Sequence, residues 1–203
     1  MDKLRWIEAL IGGCLLLAAG LTLGEEPTPL ERVRAANQQV LALYRAETAT
    51  DEDTVRAIFR VVDEVTDYDR IVEQVVAGVG DSLDDEQRNR LRITFGKVLR
   101  LAAMHKLGRY RADRFEYLSE TVEGDRAEVR TIGYYGTDQV HLDYKLERID
   151  GKWRIVNYLA DDVDAVRNYR RQISRILKQE SFDALIERLE RRSSEPEHGA
   201  ATP

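Results

Sequence analysis

Cysteine is almost absent from this 203-residue chain: Cys14 is the only one. A lone thiol closes no internal disulfide, so the fold must be held by its apolar core, which a domain of this size can supply. Excess positive charge is also missing. Lys and Arg number 31 against 37 Asp and Glu, a formal net charge of −6. No overall basic field exists to collect nucleic acid or to draw the body onto an anionic bilayer. Catalytic signatures are lacking too. There is no G-x-S-x-G elbow, P-loop or dinucleotide glycine pattern. The three histidines, His105, His141 and His198, have no Cys, Asp or Glu at metal-ligand spacing. Asp161-Asp162-Val163-Asp164 lacks the spaced oxygens and distant Glu of a calcium loop and reads as the acidic start of a helix. The expectation is no metal and no catalytic residue.

Long hydrophobic runs are confined to the N-terminus. Lys3 and Arg5 precede an apolar stretch from Ile7 to Leu23, interrupted by Glu8 and followed by small residues. Its uninterrupted part is short of the ~20 residues that span a bilayer. This is the pattern of a secretory signal, with cuts expected after Gly20 or Gly24; an uncleaved inner-membrane anchor is the alternative. Cys14 follows Ile11-Gly12-Gly13, but most of the apolar stretch lies after it, unlike a lipoprotein box. The expected organisation is a signal over 1–24, a single α+β domain over 25–192, and a Ser/Glu/Pro/Gly/Ala-rich disordered tail over 193–203.

Hydrophobic periodicity fills in the domain. Beyond Pro27 and Pro29, helical spacing runs from Leu30 to Tyr44, from Val55 to Val65 and from Tyr68 to Val79. Asp84, three before Gln87, caps a longer helix ending near Gly108. From Phe115 the period becomes two. Strands are expected over 115–122, 127–135, 140–149 and 153–158, with turns at Glu123-Gly124-Asp125, Gly136-Thr137-Asp138 and Asp150-Gly151. Val140, Leu142, Tyr144 and Leu146 share one face; His141, Asp143, Lys145 and Glu147 share the other. A helix over 163–178 and a short one capped by Ser181 complete the chain. Arg167, Arg170, Arg171 and Arg175 follow at helical spacing, either as a solvated face or with one arginine holding a phosphate or a partner. The expected architecture is helices packed on one curved, antiparallel, four-stranded sheet.

Several stretches, in order, resemble the MlaC-type family of periplasmic phospholipid-binding proteins, auxiliaries of the toluene-tolerance ABC transport systems. They are Ile58-Phe59-Arg60-Val61-Val62-Asp63, Tyr68-Asp69, Gly78-Val79-Gly80, Asp85-Glu86-Gln87-Arg88, and Phe95 with Leu99. The most specific are Gly151-Lys152-Trp153-Arg154-Ile155 and Val166-Arg167-Asn168-Tyr169-Arg170-Arg171-Gln172-Ile173. The family usually has Asp where this chain has Asn157, and Glu-Gly-Val-Ser-Leu in place of Asp161 to Ala165. Its usual tryptophan is absent near Asp81-Ser82. These departures mark a divergent branch, for which another long-chain lipid is the alternative cargo.

The resemblance implies a nuclear-transport-factor-two-like cone with C-terminal helices, holding acyl chains inside. The implied lining is Val62, Val65, Ile71, Val75, Phe95, Leu99, Leu142, Tyr144, Leu146, Trp153, Ile155, Val166, Tyr169 and Ile173, with Arg170 as headgroup or partner contact. It also implies bound phospholipid as cargo with no cofactor, and a periplasmic location. The implied partners are an inner-membrane ABC transporter complex and an outer-membrane lipoprotein complex. Periodicity alone does not separate a lining from a solid core. A cargo-free interaction module, or a small-molecule enzyme using Asp63 and Tyr144, are the other readings.

Overall fold

The structure, a computed structural model, describes residues 26–45, 52–79, 83–109 and 111–194, without the side chains of 105–109 and 194. The N-terminal signal with Cys14, the Asp81-Ser82 departure, His198 and most of the tail lie outside these residues.

Four helices come first: α1 (Pro29–Arg45), α2 (Glu52–Val65), α3 (Tyr68–Ala77) and α4 (Asp85–Arg109). The starts of α1, α3 and α4 are fixed by side chains that satisfy the free N–H groups of a first turn. Thr28 and Glu31 cap α1 reciprocally: the Thr28 N–H donates to Glu31 Oε2 at 2.9 Å and the Glu31 N–H to Thr28 Oγ1 at 3.2 Å. Glu120 adds a long-range cap, accepting the Leu30 N–H at 2.7 Å. Asp67 accepts the Arg70 N–H at 2.8 Å to open α3. Asp84 and Gln87 form the expected capping box of α4, at 2.8 and 3.1 Å.

The second half is β1 (Arg114–Glu123), β2 (Arg126–Tyr135), β3 (Asp138–Ile149), β4 (Lys152–Ala160) and β5 (Val163–Asp164), followed by α5 (Ala165–Gln179) and α6 (Phe182–Ser194). Ser181 caps α6 as expected, accepting the Ala184 N–H at 3.2 Å. The helix covers the first two residues of the expected tail.

The sheet departs from expectation twice. It has five strands, because Asp161 and Asp162 both take positive φ, 46° and 64°, and turn β4 tightly back into β5. The acids read as a helix lead-in are instead a two-residue hairpin followed by the α5 cap. The sheet is also an open antiparallel meander in the order β1-β2-β3-β4-β5, with β1 and β5 as its edges. It is neither closed nor strongly curled, so the cone does not form.

Nor do all helices share one sheet face. α1 packs on β1 and β2, and α2 on β4; α3 and α5 reach β4, whereas α4 packs on α2, α3 and α6. Two apolar clusters result. A helical cluster gathers α3, α4, α5 and α6 around Val72, Val75, Leu91 and Phe95, with Leu185 and Ile186 also fully enclosed. A sheet cluster packs Val33 and Ala36 of α1 and Val65 of α2 on Val129, Leu146, Trp153 and Ile155. Burying one such Val, Leu or Ile contributes ~1.5–3 kcal/mol, so each cluster is a substantial core.

Candidate functional site

The fourteen residues implied as a lining divide between these clusters. Ile71, Val75, Phe95, Leu99, Val166, Tyr169 and Ile173 belong to the helical one. Val65, Tyr144, Leu146, Trp153 and Ile155 belong to the sheet one. Val62 and Leu142, both half-buried, fall outside the two. Helix α2 runs along the boundary, sending Phe59 to the helical cluster and Val61 and Val65 to the sheet cluster. The apolar interior is therefore in two halves with a seam between them.

Polar contacts stitch that seam, joining the α2–α3 junction and α3 to β3 and β4. Thr66 bridges Ile155, and the Asp67 N–H donates to the Ile155 carbonyl at 2.9 Å. Gln74 Nε2 donates to the Val156 carbonyl at 3.1 Å, and Arg70 Nε meets Glu147 Oε2 at 2.9 Å. Hydrogen bonds of this kind contribute ~1 kcal/mol each net, enough to close a seam and little enough to let it part.

A bulge in β4 sets which residues reach it. Lys145 opposes Asn157 but Leu146 opposes Ile155, leaving Val156 as the extra residue. Ile155 and Asn157, two apart, thus face opposite sides of the sheet. Asn157 is 6% exposed, and its Oδ1 accepts the Val166 N–H at 3.2 Å and the Tyr158 N–H at 2.9 Å. Its Nδ2 donates to Asp164 Oδ1 at 3.1 Å, and Lys145 Nζ lies 3.8 Å from the other oxygen. Burial pushes the Asp164 carboxyl up, but the Arg167 N–H, Asn157 and Lys145 outweigh it and leave its pKa below the ordinary value. The two departures from the family pattern, at Asn157 and at 161–165, meet across this one hydrogen bond.

A cleft of about 640 Å³ opens beside this node. Its walls carry charge of both signs, including Arg126, Lys145, Arg167 and Arg170 against Glu128 and Glu147. Residues of both clusters reach it: Leu146 from the sheet half and Val166 from the helical half. Sequence periodicity gave no sign of this cleft, because its charged residues read as an ordinary solvated strand face.

Tyr169 and Arg170 have specific neighbours. The Tyr169 ring meets Phe95 edge-on, 5.2 Å between centroids. Arg170 lies across Gly78, where a Cβ would come within 1.9 Å of its Nε, and its NH2 donates to the Gln74 carbonyl at 2.8 Å. A guanidinium is favourable there, at the C-terminal end of α3. Asp63 is half-exposed, 3.9 Å from Arg100, whereas Tyr144 packs in the sheet cluster with its phenol pKa pushed up by burial. Among the described residues no three His, Cys, Asp or Glu gather as metal ligands, and no helix is long and apolar enough to cross a membrane.

A family model described as MlaC protein matches residues 34–191. The chain belongs to the MlaC protein family. MlaC-family members are non-catalytic lipid carriers. Among solved structures, the chain resembles the phospholipid-binding protein from Ralstonia solanacearum, determined in complex with a phospholipid. That likeness has a TM-score of 0.65 at 19% identity and covers 81% of this chain and 96% of that one. At that identity it is a likeness of fold. No curated protein matches the chain in sequence.

Proposed function

We propose that the chain carries a phospholipid through the periplasm, holding it by its acyl chains. The observation that carries this reading is family membership over nearly the whole described domain, 34–191. The phospholipid bound to the Ralstonia protein of like fold supports it. In the proposal residues 1–24 direct export, and 25–192 form the lipid-binding domain. The tails part the seam between the two apolar clusters and lie against Val62, Val65, Ile71, Val75, Phe95, Leu99, Leu142, Tyr144, Leu146, Trp153, Ile155, Val166, Tyr169 and Ile173. The charged cleft, with Arg170 on its rim, holds the headgroup. An inner-membrane ABC transporter and an outer-membrane lipoprotein complex are the proposed partners.

The energetics explain why a carrier is needed. Exposing acyl chain to water costs ~0.8 kcal/mol per methylene, so two chains cost on the order of 25 kcal/mol. A carrier must match the bilayer closely, since a much better solvent would not release the lipid and a much worse one would not load it. Two closed half-cores bridged by weak polar stitches suit that balance: opening costs something, and the tails restore the lost apolar contact. The chemistry is transfer, and no bond is made or broken.

The test is mass spectrometry of the organic extract of protein purified from cells. Extractable phospholipid is expected at close to one per chain; its absence from repeated preparations would overturn the reading.

A further inference from the structure

The net charge of −6 hides a strongly basic surface on α5. This helix contains Arg167, Arg170, Arg171, Arg175 and Lys178 and no Asp or Glu. Removing those five cations from the formal −6 leaves −11 on the rest of the chain. The molecule is therefore polarised, with one cationic helix on an acidic body.

The outward stripe is Arg167, Arg171, Arg175 and Lys178, spaced by four, four and three residues and all exposed. The opposite side of the helix buries Val166 and Ile173 in the helical cluster. Elsewhere arginines find carboxylates: Arg70 with Glu147, Arg90 with Asp183, Arg130 with Asp143, Arg188 with Glu180. No described carboxylate lies within ion-pair distance of Arg171, Arg175 or Lys178. A shallow hollow of about 400 Å³ lies along them, bordered by Arg170, Arg171, Ser174, Arg175, Lys178 and Gln179, with no acid on its rim.

We propose that this face of α5 docks the carrier on an anionic phospholipid bilayer, the stripe lying against lipid phosphates. The proposal rests on the carrier reading and adds to it the surface at which cargo is exchanged. Charge complementarity selects the occupant. A protein interface ordinarily centres on an apolar or aromatic anchor, and the rim of this hollow has none. Adsorption to a charged bilayer needs only clustered Lys and Arg, whose attraction acts within a Debye length. That length is ~8 Å at physiological salt, less than the ~10–12 Å thickness of a helix. Charges on the far side of α5 are screened from a membrane lying against the stripe, while the stripe itself is not. Arginine suits the role because its fork gives two parallel bonds to one phosphate.

The experiment uses protein as purified from cells, sedimented with vesicles of phosphatidylcholine alone or with about a third phosphatidylglycerol. Partitioning should rise on the anionic vesicles and fall as salt goes from about 50 to about 300 mM. The R171E/R175E variant should lose at least about tenfold of that binding, whereas K152E, at the exposed start of β4, should lose little. Circular dichroism and thermal melting establish that both variants fold. Equal anionic-vesicle binding by parent and R171E/R175E would overturn the proposal. So would salt-sensitive binding to soluble polyglutamate without binding to vesicles, which assigns the face to an acidic protein. Extractable lipid is measured on the same samples. Normal lipid content with lost vesicle binding supports the docking face, whereas lipid-free parent protein counts against the carrier reading and leaves the vesicle result to judge the surface.

Discussion

Two carboxylates would face each other across a single hydrogen bond if Asn157 were aspartate, since its amide already donates to Asp164 at 3.1 Å. N157D should therefore cost roughly 2 kcal/mol at neutral pH by removing a donor and crowding like charges. The loss should shrink on acidification as the pair takes up a proton, and N157D/D164S should recover most of it; denaturant melts across pH read both. In the parent, Asp164 has its folded pKa depressed. Its contribution to stability is complete above the unfolded value near ~4 and is lost as pH falls through the folded one, so D164N should flatten the acid limb of the stability profile. Gly78 and Arg170 form the other informative pair. G78A has no room for its methyl unless the guanidinium leaves the Gln74 carbonyl, and should cost ~1–2 kcal/mol. In a double-mutant cycle, adding R170A should cost less than it does alone, because the two changes remove one contact.

Elements were largely legible from sequence because capping and periodicity agree locally. Asp84 with Gln87, Ser181 and the Asp150-Gly151 turn mark boundaries the structure keeps. The β4–β5 hairpin was not legible. Acids ahead of an amphipathic helix are normal for a first turn, and nothing in Asp161-Asp162 declares that both adopt left-handed φ. Left-handed backbone costs a non-glycine residue ~1–2 kcal/mol. D162G should thus stabilise the protein by about 1 kcal/mol, part of the relief being offset by glycine's larger unfolded-state entropy. D162A, lacking the short polar side chain that tolerates this conformation, should destabilise it; thermal melts distinguish the two. The cleft beside α5 was equally hidden. A charged strand face looks the same whether it meets bulk water or a hollow.

For the whole molecule, periodicity identified which residues are apolar and inward but not whom they touch. Leu146 on its strand and Phe95 on its helix both read as inward-facing, yet they belong to different clusters. That division changes how a blocking substitution should behave. Val75 is fully enclosed, so V75W overpacks the helical cluster and should cost ~1–3 kcal/mol whatever the cargo. Leu142 is half-buried outside both clusters, so L142W should keep the melting temperature within a few degrees while lowering bound lipid. An unchanged lipid content in L142W would move Leu142 out of the proposed path.

The parting of the two half-cores is tested most directly with a phospholipid bearing a photoreactive group near the end of one acyl chain. After loading and irradiation, the labelled peptides should come from both sides of the seam, from α3 or α4 around Val75 and Phe95 and from β3 or β4 around Tyr144 and Ile155. Labels confined to surface peptides, or to one cluster alone, would contradict the account.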